Sequence, residues 1–208
     1  MVVLKRCSES KYITERFINL KTKDEMKKYG YVVWDILKKA YEYCGGIKNV
    51  NGVEDLIADS DFWKLYKSGG EIKACIIYSF KRGGRKLCLL GQDGTPDGKK
   101  ALKGMLEDDF KLKDRQMWAG FSGKAAITAL KHGGYPIPSD IACDLMNTTK
   151  KSCVPYDEYW YTRAIKNDKG EIEQHYKLML GNPPNVDVGE PPKELVDKLI
   201  KQAVEFGE

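Results

Sequence analysis

Residues 86–102 read Lys-Leu-Cys-Leu-Leu-Gly-Gln-Asp-Gly-Thr-Pro-Asp-Gly-Lys-Lys-Ala-Leu, an apolar run followed by a glycine-bearing loop and the start of a helical pattern. A strand that feeds a helix through such a loop is chemically suggestive. The first N–H groups of a helix lack intrahelical partners and carry partial positive charge, so they suit a phosphate. Gly94 and Gly98 would let the backbone approach a pyrophosphate closely. Lys99 and Lys100, read as lying in the first helical turn, would add charge where the helix dipole disfavours it. The site so expected runs through Leu89, Leu90, Gly91, Gly94, Thr95, Gly98, Lys99 and Lys100. The same string also suits a plain strand-to-helix turn with two exposed lysines. It is not a Walker A loop: three residues, rather than four, separate Gly94 from Gly98, and Lys100 stands where a magnesium-holding Ser/Thr would be.

Other reactive side chains are scattered. The six cysteines, at positions 7, 44, 75, 88, 143 and 153, form no CxxC pair, and only His132 and His175 could complete a metal site, so no metal is expected. Cys75 and Cys88 sit in apolar runs, where free cysteine acts as a small hydrophobe. All six thiols are expected to be reduced. Tyr156, Tyr159, Trp160 and Tyr161, followed by Arg163, form the densest aromatic cluster. Such a run is a base-stacking platform or, more commonly, a strand burying one face.

Periodicity places these residues on elements. A first strand is expected over residues 12–20. Met26, Tyr29, Val33, Ile36, Leu37, Ala40 and Tyr41 then recur at three- and four-residue steps, a helix ended by Gly45-Gly46. A short helical turn covers residues 53–58. Apolar runs at 62–67, 71–80 and 85–91, separated by glycine-rich turns, predict an antiparallel meander. A helix over 98–110, a strand over 116–121 and a helix from Ser122 to Gly133-Gly134 follow. A short helix opens near Pro138-Ser139, and 156–166 with 171–180 read as a second hairpin. Residues 182–192 hold four of the eight prolines and read as an extended connector. Leu195, Val196, Leu199, Ile200, Ala203 and Val204 make an amphipathic helix within 193–208. The fold class expected is α+β, a mixed, mostly antiparallel twisted sheet with helices on both faces.

Composition bounds the function. With 208 residues, 42% hydrophobic and 31% charged, the chain has apolar material for one core and is not disordered as a whole. It holds no apolar run of the ~18 residues a membrane helix needs, and the start turns charged within a few residues, so a cytoplasmic protein without a membrane partner is expected. Nearly all of the net charge of +5 arises in residues 1–50, where Lys5, Arg6, Lys11, Arg16, Lys21, Lys23, Lys27 and Lys28 are spread out. Such a surface attracts phosphate-bearing ligands, or is an ordinary solvated helix face.

The element order and the strand–loop–helix site together resemble the GCN5-related N-acetyltransferase (GNAT) superfamily. The resemblance spans about residues 12–181, with 182–192 as connector and 193–208 as an added helix. It implies that residues 87–100 hold acetyl-CoA as co-substrate, and that the strands over 85–91 and 116–121 splay to admit its pantetheine arm. The family's phosphate pattern is met in part: with Gly98 as its last residue, Asp93 stands in the Arg/Gln place and Pro96 in the first glycine place. Leu130 falls where the family often has an acid tyrosine, with Gly134-Tyr135 in the place of its Gly-Phe pair. His132 and Tyr135 are the candidate substitutes and Asp93 the candidate base for the amine. His132 equally suits a helix C-cap. The function implied is acetyl transfer from acetyl-CoA to an amine of a small molecule or protein. Two alternatives stand beside it. One is an inactive GNAT-fold binding or inhibitory protein; compact, lysine-rich proteins of this kind resemble uncharacterised bacteriophage products. The other is a nucleic-acid module using Lys23, Lys27, Lys28 and the 156–163 run, the less favoured partner.

Overall fold

Local signals start the elements where the chain needs them. Thr22 opens α1 (Lys23–Tyr41) with a capping box, its hydroxyl accepting from the Glu25 N–H while the Glu25 carboxylate accepts from the Thr22 N–H. Pro96 occupies the first position of α3 (Pro96–Lys111), where its missing N–H costs nothing. The computed structural model describes residues 16–42, 47, 50–81, 84–111, 117–146, 153–166 and 170–206. The expected glycine cap at 45–46, most of the turns at 82–84 and 167–170, the strand start at 12–15 and the basic residues before Arg16 lie outside them.

Among the described residues the order is β1 (Arg16–Leu20), α1, α2 (Val53–Ala58), β2 (Phe62–Ser68), β3 (Glu71–Lys81), β4 (Gly84–Gln92), α3, β5 (Met117–Phe121), α4 (Gly123–Lys131), α5 (Ser139–Met146), β6 (Cys153–Pro155), β7 (Trp160–Lys166), β8 (Ile172–Gly181) and α6 (Lys193–Glu205). The strands form one sheet in the order β1-β2-β3-β4-β5-β8-β7-β6. Every pairing is antiparallel except β4 with β5. This is the α+β architecture that the sequence implied, a mixed, mostly antiparallel sheet with helices on both faces.

Strand alternation sorts side chains onto two faces. Trp63, Leu65, Cys75 and Ile77 pack with Met26, Val33, Leu37 and Leu56 under α1 and α2. Tyr66, Ala74, Ile76, Tyr78, Ala119 and Phe121 pack with Met105, Phe110, Ala126, Ala129 and Leu199 under α3, α4 and α6. Helix α5 covers the other half of the first face, where Trp118, Tyr161 and Met179 meet Ala142 and Cys143.

Three expectations shift. Helix α3 begins at Pro96 rather than Gly98, because Thr95 supplies the cap, so Lys99 and Lys100 fall in its second turn and Asp97 is the charged residue of the first. Strand β7 starts at Trp160, not Tyr156. The Asp157 carboxylate accepts from the N–H groups of Tyr159 and Trp160, which bends residues 156–159 into a turn. The three residues of β6 carry no strand signal in the sequence. That length is too short to show periodicity.

A buried polar cluster fixes α3 to the sheet. Asp109, 3% exposed, faces the Lys64 ammonium of β2 at 3.3 Å and accepts a hydrogen bond from the Tyr78 hydroxyl of β3. Removing one partner of such a pair strands a charge in the core. Asp109→Ala is therefore expected to destabilise the protein by about 3–5 kcal/mol, a fall in Tm on the order of 10 °C in a thermal melt. A double change of Lys64 and Asp109 to apolar residues should recover much of that loss.

Candidate functional site

The sheet is two four-stranded halves joined at one seam. β4 and β5 pair only at Arg85↔Met117 and Lys86↔Trp118. Immediately beyond, Ile77 of β3 opposes Leu89 while Tyr78 opposes Leu87, so Cys88 bulges out of register. A bulge sharpens local twist and bends the strand that carries it. Here it directs the end of β4, residues 89–92, away from β5, and the two strands part as a wedge. Leu89 packs toward the α1–α2 side and Leu90 toward the α3–α4 side, both partly buried. The Leu90 N–H, on this freed stretch of β4, reaches the Tyr41 hydroxyl of α1 at 3.4 Å.

The loop after the wedge is organised by its own side chains. Asp93 Oδ1 accepts from the Thr95 hydroxyl at 2.6 Å and the Thr95 N–H at 3.0 Å. The Thr95 hydroxyl in turn accepts from the Gly98 N–H at 3.1 Å, and its carbonyl from the Lys99 N–H at 3.0 Å. Gln92 Oε1 accepts the Gly94 N–H. Asp93 Oδ2 lies 3.2 Å from the Lys73 ammonium, and the Asp93 N–H donates to the Lys73 carbonyl. Burial alone would push the Asp93 carboxyl up, but the Thr95 hydrogen bonds and Lys73 outweigh it and hold its pKa below the ordinary value. Lys73 is held above its own ordinary value, by Glu71 first and Asp93 second.

The glycines acquire specific meanings. A Cβ on Gly98 would overlap Asp93 Oδ1 and stand 2.6 Å from the Lys73 carbonyl oxygen. On Gly91 it would press at 3.1–3.4 Å on Ile36, Leu37 and Ala40 of α1. Both are bare because the chain itself approaches. Gly94, at φ +92 with open space around it, is bare because its turn requires the left-handed region.

Of the expected site residues, Leu89, Leu90, Gly91, Asp93, Gly94, Thr95, Gly98, Lys99 and Lys100 form one continuous edge from the wedge to α3, with both lysines exposed. His132 and Tyr135 are elsewhere. Helix α4 runs back along β5, and the Tyr135 carbonyl accepts from the N–H of Gly181, which pairs with Trp118 at the closed end of the wedge. His132 caps α4, with Nδ1 2.7 Å from a Glu107 oxygen of α3. Tyr135 lines a cavity of about 240 Å³ with Gly134, Glu190 and Pro191. Sequence reading missed Tyr41 and Lys73: Tyr41 is one more apolar position in a helical stripe, and Lys73 one more lysine in a strand.

The residues of the nucleic-acid alternative divide: Lys27, Lys28 and Tyr156 are exposed, while others are held by the chain itself. The Lys23 ammonium donates to the carbonyls of Ala58 and Ser60 at the end of α2, and Lys27 pairs with Asp24 at 3.1 Å. Trp160 and Tyr161 are fully buried, and Tyr156, Trp160 and Tyr176 all pack on Phe206 beyond α6. Among the described residues no group of three His, Cys, Asp or Glu could hold a metal, and no helix is long and apolar enough to cross a membrane.

Because the folded Asp93 pKa lies below its unfolded value, its contribution is full above about pH 4 and is lost as pH falls through the folded value. Asp93→Asn should therefore lower stability at neutral pH by about 1–2 kcal/mol, with the gap to the parent closing on acidification. Chemical denaturation across pH 2–7 (roughly, bracketing the carboxylate range) measures it. A gap independent of pH would mean that the charge of Asp93 is idle.

Neither a family model nor a curated protein matches the sequence. Among solved structures the chain is similar to an IAA acetyltransferase from Bacillus cereus ATCC 14579, with 10% identity over 80% of this chain and 97% of that one, at a TM-score of 0.39. A likeness that distant carries no argument about chemistry, which rests on the geometry.

Proposed function

We propose that the β4–β5 wedge takes the pantetheine arm of an acyl-CoA, used as a substrate, and that the chain moves the acyl group to an amine. One observation carries this reading: β4 leaves β5 after two residue pairs, at the Cys88 bulge, and so presents the backbone edge of residues 89–92 to an extended ligand. Such an edge recognises an amide-bearing chain as it would a neighbouring strand.

The Leu90 N–H would exchange the Tyr41 hydroxyl for the thioester carbonyl oxygen and polarise it. A deprotonated amine would then attack the carbonyl carbon, forming the C–N bond as the C–S bond breaks. The departing thiolate would take a proton from the Tyr41 hydroxyl, and the proton that the new ammonium centre loses to solvent would be matched by one that Tyr41 regains from it. Positioning supplies most of the acceleration in this scheme. Asp93, with its pKa lowered and its oxygens engaged, serves the loop rather than the amine. Lys99 and Lys100, both exposed, would meet the phosphates.

A second reading is favoured by a different observation. The N–H groups of Gly94, Thr95 and Gly98, which a pyrophosphate would need, are already satisfied by Gln92, Asp93 and Thr95. A GNAT-like shell whose loop stays so closed would act by binding a partner rather than by transfer.

Thermal unfolding with acetyl-CoA, free CoA or ATP separates the two. A ligand at ~100 times its dissociation constant adds roughly 2.7 kcal/mol, several degrees in Tm. Both CoA species should raise Tm and ATP should not; no rise with either CoA species sinks the transfer reading. If CoA binds, Tyr41→Phe should lower kcat on the order of 10²-fold with little change in KM, and Lys99→Ala with Lys100→Ala should raise KM. Gly98 is a poor probe, since any side chain there disrupts the loop without reference to ligand.

A further inference from the structure

Far from the wedge, α5 and the edge strand β6 bring two thiols together. Cys143 Sγ lies 2.8 Å from Cys153 Sγ, and each residue is 4% exposed. They are separated by ten positions in sequence and belong to different elements. Two unbonded sulfurs in ordinary van der Waals contact stand nearer 4 Å apart, so this pair is already well inside that distance. Trp118, Ile137, Ala142, Tyr161 and Met179 wall it in. A metal would need further ligands, and among the described residues no third His, Cys, Asp or Glu joins the pair. The charged groups near it are Asp140 and Asp144 on α5 and Arg163, which opposes Cys153 across β6 and β7.

We propose that Cys143 and Cys153 are a modification site, a dithiol that closes to a disulfide by exchange with a low-molecular-weight disulfide and reopens with excess thiol. In the first step Cys143, as thiolate, attacks one sulfur of the small disulfide. A mixed disulfide forms, the S–S bond of the reagent breaks, and the released thiolate takes up the proton that Cys143 gave to solvent. Cys153 then attacks the Cys143 sulfur, forming the internal bond and expelling the second small thiol. The two cysteines lose two electrons and two protons, and the reagent gains both. Burial pushes both thiols up; Cys143 acts first because the Cys153 S–H can donate to its thiolate and offset part of that rise, whereas Cys143 pushes the Cys153 thiol further up. Burial makes the reaction slow, and it makes the product well protected. The closed form ties α5 to the last strand of the sheet, above Tyr161, whose hydroxyl rests against Gly120 of β5.

The test uses the full chain incubated with millimolar oxidised glutathione, then denatured, alkylated and weighed. Two of the six cysteines should escape alkylation, peptide mapping should join 143 to 153, and dithiothreitol should restore all six. Alkylation of all six after oxidation, a bond joining another pair, or glutathione left attached without the internal bond overturns the proposal. Tm should rise by several degrees on oxidation in the parent chain and not in Cys153→Ala. If that variant fails to fold, alkylation of the denatured parent chain still decides. None of these readouts depends on CoA.

Discussion

The molecule turns on a conflict within β4. This strand must pair fully with β3, because its buried backbone groups have no solvent to fall back on. It must also meet β5 to make one sheet. The bulge at Cys88 resolves the conflict by division: residues 85 and 86 serve both neighbours, and residues 89–92 serve β3 alone. The packing follows from that choice. α1 presses on Gly91, α3 leaves from the freed end of β4, and Tyr41 is drawn to an N–H that β5 no longer meets.

The loop that follows shows how local stability and ligand recognition compete for the same atoms. Unpaired N–H groups at a helix start are useful to an anion only while they remain unpaired. Asp93, Thr95 and Gln92 satisfy them from within, and Lys73 neutralises the carboxylate that does most of this. A phosphate arriving here would have to displace short, charge-assisted contacts rather than fill a vacancy. The wedge and the loop thus pull in opposite directions, one offering a ligand an edge and the other withholding its donors.

The architecture was largely legible in the sequence, because the strands and helices with strong apolar periodicity lie where that periodicity put them. β6 is illegible because three residues carry no period, and residues 156–159 look like strand because the Asp157 turn hides within an aromatic run. The site was legible as an address and less so as a mechanism. Asp93, Gly94, Gly98 and the two lysines do lie together, but sequence spacing could not reveal that Gly98 is bare to admit Asp93. Nor could it place His132 and Tyr135 at the closed end of the wedge, since that depends on α4 running back along β5. Tyr41 became visible only once α1 was laid across β4.

The two-pair seam also bears on how the sheet is assembled. β2, β3 and β4 pair with neighbours close in sequence, so that meander can close as synthesis proceeds. β5 ends at Phe121, but its long antiparallel partner β8 begins only at Ile172. Until β8 emerges, β5 holds to the nascent sheet by two parallel residue pairs, and its far edge stays open. The second half of the sheet is therefore the late unit of assembly, completed only when β8 closes on β5 and β7.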